Sequence, residues 1–197
     1  MEAEVLRDSL IAISGRMNLN MYGSPVPVTV DEVGQFVVGV DSRDSAGRPT
    51  GVKTDLAAEA MRRSIYIQVR RSMPLAMLET FDGPDMNPNC NQRNSSTVSP
   101  QSLLLMNNEA VLSSAERFAQ HLQDQAGDNL AAQVQLAWEL AFGVPPTESQ
   151  TQVALLFLAQ QTADFPVADQ ATPSPAWRAL ATYCQALVSS NRFLYID

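Results

Sequence analysis

The chain has 197 residues, with 13 Lys and Arg against 21 Asp and Glu for a net charge of −8, and 45% of its residues are apolar. That length and composition suit one domain, or one domain with a small appendage, able to bury a core of its own. The acidic balance argues against nucleic acid as a partner, since phosphate binding needs a positive field, and no apolar run approaches the roughly 20 residues of a membrane span.

Met1 leads directly into an amphipathic pattern with neither a basic n-region nor an apolar h-region, so no signal peptide is expected in this chain. The abrupt start in a helical pattern suits a fragment or a truncated gene product. Leu6, Leu10, Ile13 and Met17 recur at helical spacing, and Gly15 can end the helix, predicting a helix over residues 2 to 14. Residues 18 to 35 are rich in Asn, Gly and Pro and predict loop. Phe36 to Val40 is a short apolar run between Gly34 and Asp41 and predicts a strand. Residues 41 to 54 form the most loop-like stretch, a hairpin tip or exposed insertion. Ile65, Ile67 and Val69 alternate with polar neighbours, which predicts a second strand pairing with Phe36 to Val40.

Pro74 opens a short helix through Phe81. Ser99 and Pro100 form an N-cap and first-turn signal, and that helix breaks at Asn107 and Asn108. The next helix carries the stripe Val111, Leu112, Ala115, Phe118, Ala119 and Leu122. Asp128 is the expected cap of another helix through Phe142, closed by Gly143, and Thr147 caps the one after. Residues 166 to 175 predict loop. The last helix has Trp177, Leu180, Ala181, Cys184, Leu187 and Val188 on one stripe, and Phe193 belongs to an apolar tail that docks. The expectation is a mainly α fold: a helical bundle with a small two-stranded β element and a long ordered loop. Residues 1–98 form an irregular α+β half and 99–197 a helical half of a single domain, 1–197.

Chemistry concentrates between Arg62 and Asn108. Asp82 and Asp85 flank a turn built by Gly83 and Pro84, where two carboxylates could ligate a hard divalent cation or do acid–base work. An EF-hand's further ligands are absent, and the plainer reading is that Asp82 caps the turn while Asp85 pairs with an arginine. Cys90, on a polar loop, is a nucleophile only if a cation lowers its pKa. The single histidine, His121, sits among helical leucines with no spacing signature linking it to Cys90. Cys184 is a core thiol by its stripe, and Trp138 and Trp177 are core by theirs. Two cysteines are too few for a disulfide framework or a four-cysteine zinc site.

The arginines run against the overall charge. Arg62 and Arg63 precede the expected strand, Arg70 and Arg71 follow it, and Arg93 comes after the Asp-rich turn. They suit bidentate capture of a carboxylate, sulfate or phosphate. The competing reading, favoured here, is that they pair with Glu79, Asp82 and Asp85 to pin a long loop. There is no Walker loop, dinucleotide glycine fingerprint, H-E-x-x-H, G-x-S-x-G elbow or C-x-x-C-H haem attachment, so this chain holds no covalent haem.

The segments R-R-S-I-Y from Arg62, P-L-A-M-L-E-T-F-D-G-P-D from Pro74, C-N-Q-R from Cys90 and T-V-S-P-Q-S-L-L-L-M-N from Thr97 together resemble the planctomycete-type bacterial domain of unknown function, family 1553. The opening E-A-E-V-L-R-D-S-L and the closing C-Q-A-L-V-S-S-N-R-F-L-Y-I-D look like that family too. Gln92-Arg93 stands where members often carry two arginines. The resemblance implies a position downstream of a second unknown-function domain and a cytochrome c-like module, in large exported or periplasmic proteins. It therefore implies that this chain is the C-terminal portion of a larger family domain, with the upstream domains as partners and haem only in an upstream domain. Two functions are expected from different classes. One is an accessory interaction module, linked to cytochrome c-type electron transfer or polysaccharide handling, that meets a carbohydrate or anionic ligand through Arg62, Arg63, Arg93, Thr97 and Gln101. The other is a metal-assisted hydrolase or redox domain built on Asp82, Asp85, Cys90 and Arg93, with Asp82 and Asp85 as metal ligands.

Overall fold

The computed structural model describes residues 1–54, 56–84, 98–166 and 173–195. It is mainly helical, with small antiparallel hairpins, and falls into two compact units: Met1–Ala12 with Arg16–Gln101, and Ile13–Gly15 with Ser102–Asp197. Among the described residues no helix is long and apolar enough to cross a membrane.

The first unit opens with helix α1 (Ala3–Ile13), whose buried positions Ala3, Leu6, Leu10 and Ile11 follow helical spacing. Two hairpins follow, β1 (Val28–Val30) on β2 (Phe36–Val38), and β3 (Val40–Arg43) on β4 (Pro49–Thr54). The same turn chemistry makes both. Asp31 Oδ1 accepts the amides of Val33 and Gln35 at 3.0 and 2.7 Å, and Asp44 Oδ1 those of Ala46 and Arg48 at 2.9 and 2.8 Å. Gly34 and Gly47, each three residues after its Asp, take φ of 86° and 77°, where a side chain would be strained. Val26, Val28, Ile67 and Leu75 form the buried cluster, with Phe36, Val38 and Leu78 packed on it.

Two expectations for this unit are corrected. Phe36–Val38 pairs with Val28–Val30, inside the stretch expected to be loop, and not with residues 65 to 69. Ser64–Tyr66 is a 3-10 turn instead of a strand, closed by the Tyr66 amide on Arg63 and the Ile67 amide on Ser64, both at 3.0 Å. The alternation there misleads because only Ile67 is buried; Ile65 and Val69 are 75% and 68% exposed. The short helix after Pro74 is α2 (Ala76–Thr80).

The second unit takes most of α3 (Ser99–Asn107), then α4 (Glu109–Ala126), α5 (Leu130–Phe142), α6 (Glu148–Asp164), α7 (Pro175–Val188) and α8 (Asn191–Leu194). α4 and α6 both pack on α7, and α5 joins α4 and α6. Capping residues start these helices as expected at Thr147, whose hydroxyl and Gln150 form a reciprocal capping box. Asn129, rather than Asp128, caps α5 by accepting the Ala132 amide at 3.1 Å. Cys184 is fully buried, and burial raises its thiol well above the usual range. Trp138 donates to Tyr183 Oη at 2.8 Å and meets Phe142 edge-on at 4.9 Å, so it is a half-buried anchor of this bundle.

Burial raises the Tyr183 phenol to about 12, with the Trp138 donor pulling the other way. The raised value means its neutral form is the one the fold favours. Its contribution to stability is complete below pH 10, the phenol's ordinary value, and is lost as pH rises through about 12. The phenolate absorbance difference between wild type and Tyr183→Phe is expected to have its midpoint near that upper value; a midpoint at the ordinary phenol value would refute the assignment.

Gly15 ends α1 with φ +70°, and an added Cβ would lie 2.9 Å from His121 Nδ1. Gly15→Ala is expected to cost about 1–3 kcal/mol through left-handed strain and overpacking. Combining it with His121→Ala should relieve the clash but not the strain. Thermal unfolding of the two variants checks this, and full recovery in the double variant would refute the strain component.

Candidate functional site

The R-R-S-I-Y segment is where the first unit's polar chemistry gathers. Arg7, on the buried face of α1, donates to the Ala60 and Arg62 carbonyls at 2.7 and 2.9 Å and to Ser64 Oγ at 3.3 Å. Burial pulls its guanidinium down to about 10, with Asp8 opposing, so it stays charged at neutral pH. Asp8, one residue on, accepts the Ser64 amide at 2.7 Å and the Ser64 hydroxyl at 2.6 Å, and stands 3.9 Å from Arg63. The spacing of Arg7 and Asp8 thus fastens α1 to the 60–64 turn through both charges.

Arg62 is 2% exposed and faces the other way, into the loop before β1. Its Nη1 donates to the Ser24 carbonyl at 2.9 Å, and its Nη2 to the carbonyls of Tyr22 and, at 3.5 Å, Asn20. Alternate carbonyls of one extended loop converge on one guanidinium. The same group lies 4.1 Å over the Tyr66 ring and 3.4 Å from Glu59. Its Nε is buried with no hydrogen-bond partner. An anion approaching Arg62 would have to displace the protein's own carbonyls. Arg63, in contrast, is 58% exposed at its side chain.

Neighbouring contacts frame this loop. Asn18 bridges Arg62 and Val26 bridges Ile67, both parallel. Between those bridges the first segment has more residues than the second, so the excess bows outward. Tyr22, at its crest, takes φ 66°, and its amide donates to Tyr66 Oη at 3.3 Å. Leu19, Met21 and Tyr22 are 72%, 70% and 80% exposed.

Asp82 sits at the end of α2 and is explained by the backbone there. The Gly83 amide reaches the Leu78 carbonyl at 2.7 Å and the Asp82 amide that of Glu79 at 3.3 Å, the paired bonds of a Schellman cap. Asp82 fills the left-handed position, φ 57°, that glycine usually takes. Gly83 has no freedom to change, because a Cβ would lie 2.7 Å from the Leu78 carbonyl oxygen. Gln101 is buried; its amide donates to the Thr80 carbonyl at 3.2 Å and its carbonyl accepts the Val98 amide at 3.4 Å. It ties together the residues on either side of 85–97.

The sequence candidates therefore divide. Arg62, Arg63, Asp82 and Gln101 have the positions just given, and Arg62 and Arg63 pair with Glu59 and Asp8 rather than with Glu79 or Asp82. Asp85, Cys90, Arg93 and Thr97 lie outside the described residues. Among the described residues no group of three or more His, Cys, Asp or Glu is placed to hold a metal ion. Sequence reasoning missed Arg7, Asp8 and Ser64. A charged pair on an otherwise apolar helical face, Arg7 between Leu6 and Leu10, was the signal available for the first two.

The profile of the family described as "Protein of unknown function (DUF1553)" matches residues 1–158, well over half of the chain, and the chain belongs to that family. No curated protein and no solved structure matches it.

Proposed function

We propose that this DUF1553 chain is an accessory interaction module of a larger exported bacterial protein, acting beside a cytochrome c-like electron-transfer module or in polysaccharide handling. One observation carries the reading: in the R-R-S-I-Y segment the polar groups of Arg62 and Ser64 are spent on the protein's own backbone and on Asp8, while Ile65 stays 75% exposed. A segment built this way spends its charges on holding shape and presents apolar surface, as an interface does. The upstream domains of the parent polypeptide are the first partners to expect, with a carbohydrate or anionic ligand next. The chain itself needs no cofactor for this role; haem belongs to an upstream domain. Cross-linking mass spectrometry of the parent polypeptide, with a glycan array on the isolated chain, tests it. Cross-links or a glycan signal are expected, and their joint absence would sink the reading.

A second reading rests on the two carboxylates, Asp82 and Asp85, three residues apart in the sequence. Asp82 and Asp85 would then hold a divalent cation for hydrolysis or redox chemistry with Cys90 and Arg93. Elemental analysis by plasma mass spectrometry separates the two. Stoichiometric metal in the wild type that is lost in Asp82→Asn favours the enzyme; equal metal contents favour the interaction module.

A further inference from the structure

The loop that Arg62 gathers is more firmly built than an exposed connection needs to be. Its carbonyls are tied from beneath, its Asn18 side chain donates to the Ala58 carbonyl at 3.0 Å, and its crest residue is held in a conformation that non-glycine residues avoid. Burying a guanidinium to order a loop is costly. What the loop carries outward is apolar: Leu19, Met21 and Tyr22, with Ile65 on the facing segment, each at least 70% exposed. Among the described residues these side chains stand outside the first unit's buried cluster. Rigid backbone beneath exposed Tyr, Met and Leu is the form of a preorganised anchor, which binds without the entropy cost of ordering a loop.

Charge indicates what the anchor meets. The acids beside it, Glu59 and Asp8, are each in an ion pair, with Arg62 and with Arg63. Arg63 still has more than half its side chain in solvent, and Arg70 and Arg71 at the other end of the facing segment are exposed. An apolar crest with basic flanks, on a chain of net charge −8, complements an apolar pocket rimmed by carboxylates. A carboxylate rim can be matched by the local basic flanks alone, whereas an anionic bilayer is charged over an area that also meets the acidic remainder of the molecule.

We infer that the 18–24 loop, with Ile65, is a docking surface for an acidic, apolar-centred polypeptide. The inference rests on the interaction-module reading and names its surface. The test uses the full chain, immobilised, against a displayed library of random dodecapeptides. Its comparison is the variant Leu19→Ser/Met21→Ser/Tyr22→Gly, in which glycine at the strained position preserves the loop's shape. Amide exchange at residues 18 to 24 verifies that shape. Apolar peptides flanked by Asp or Glu are expected to be enriched on wild type, and a synthetic copy to bind the variant at least about tenfold more weakly. Equal binding to the variant would overturn the docking surface while leaving the interaction-module reading standing. Failure to enrich any peptide, or capture of phosphatidylcholine–phosphatidylglycerol vesicles in place of peptides, would overturn the inference itself.

Discussion

Replacing Arg62 with alanine is expected to cost the first unit about 3 kcal/mol, since hydrogen bonds to a charged group contribute roughly 1.5–3 kcal/mol each before the guanidinium's desolvation is offset. The guanidinium reaches the carbonyls of Asn20, Tyr22 and Ser24 together, and its loss also removes the cation from the Tyr66 ring. Arg62→Lys keeps the charge but not the fork, so it should recover less than half of the loss. Trp138 and Trp177 lie in the second unit and do not report on this. Hydrogen exchange read by mass spectrometry does: amides of residues 18 to 26 should exchange faster in both variants, while α4 and α7 keep their protection. Unchanged protection in that loop would show that the carbonyl cradle is not what orders it. The same experiment bears on function, because the exposed crest at Leu19, Met21 and Tyr22 keeps its shape only while the cradle does.

The helical unit was legible because its signals are local. Thr147 with Gln150, the two asparagines before α4 and the apolar stripes all act within a few residues. The first unit was hard to read for the opposite reason. Its organising contacts run from side chain to backbone across the chain: Arg7 to Ala60 over 53 residues, Arg62 to Asn20 over 42. Proximity in sequence pointed Arg62 and Arg63 toward Glu79 and Asp82, but the partners came from α1 and from loop carbonyls that have no residue signature. The alternation of Ile65, Ile67 and Val69 failed similarly, since exposing Ile65 and Val69 is a property of the surface and not of a strand. At Asp82 the device is a helix cap, which needs the Leu78 and Glu79 carbonyls to recognise. Such departures from local rules cluster where a protein does something besides fold. Here they cluster in the 18–24 loop and the 62–66 turn.

In the second unit, Phe118→Ala is expected to cost about 3–5 kcal/mol, the range for deleting a fully buried aromatic side chain. Phe118 is 0% exposed on α4, beside Ala115 and Ala119, and α5 and α7 offer Ala137 and Ala179, also buried. Alanines carry too little side chain to extend into the space that deleting the ring would leave. Phe118→Leu should therefore cost only about 1–2 kcal/mol. Urea unfolding followed by Trp138 and Trp177 fluorescence reports this unit directly, with the midpoint falling and the slope unchanged. Cys184, fully buried and held protonated, supplies an independent reading. With Cys90 changed to serine, thiol labelling at Cys184 waits on opening of the bundle. A loss of 3–4 kcal/mol then speeds labelling by roughly two to three orders of magnitude, a tenfold change per about 1.4 kcal/mol. Labelling no faster than in the parent would mean that α7 opens without disturbing Phe118, and that α4 is not the element against which the bundle closes.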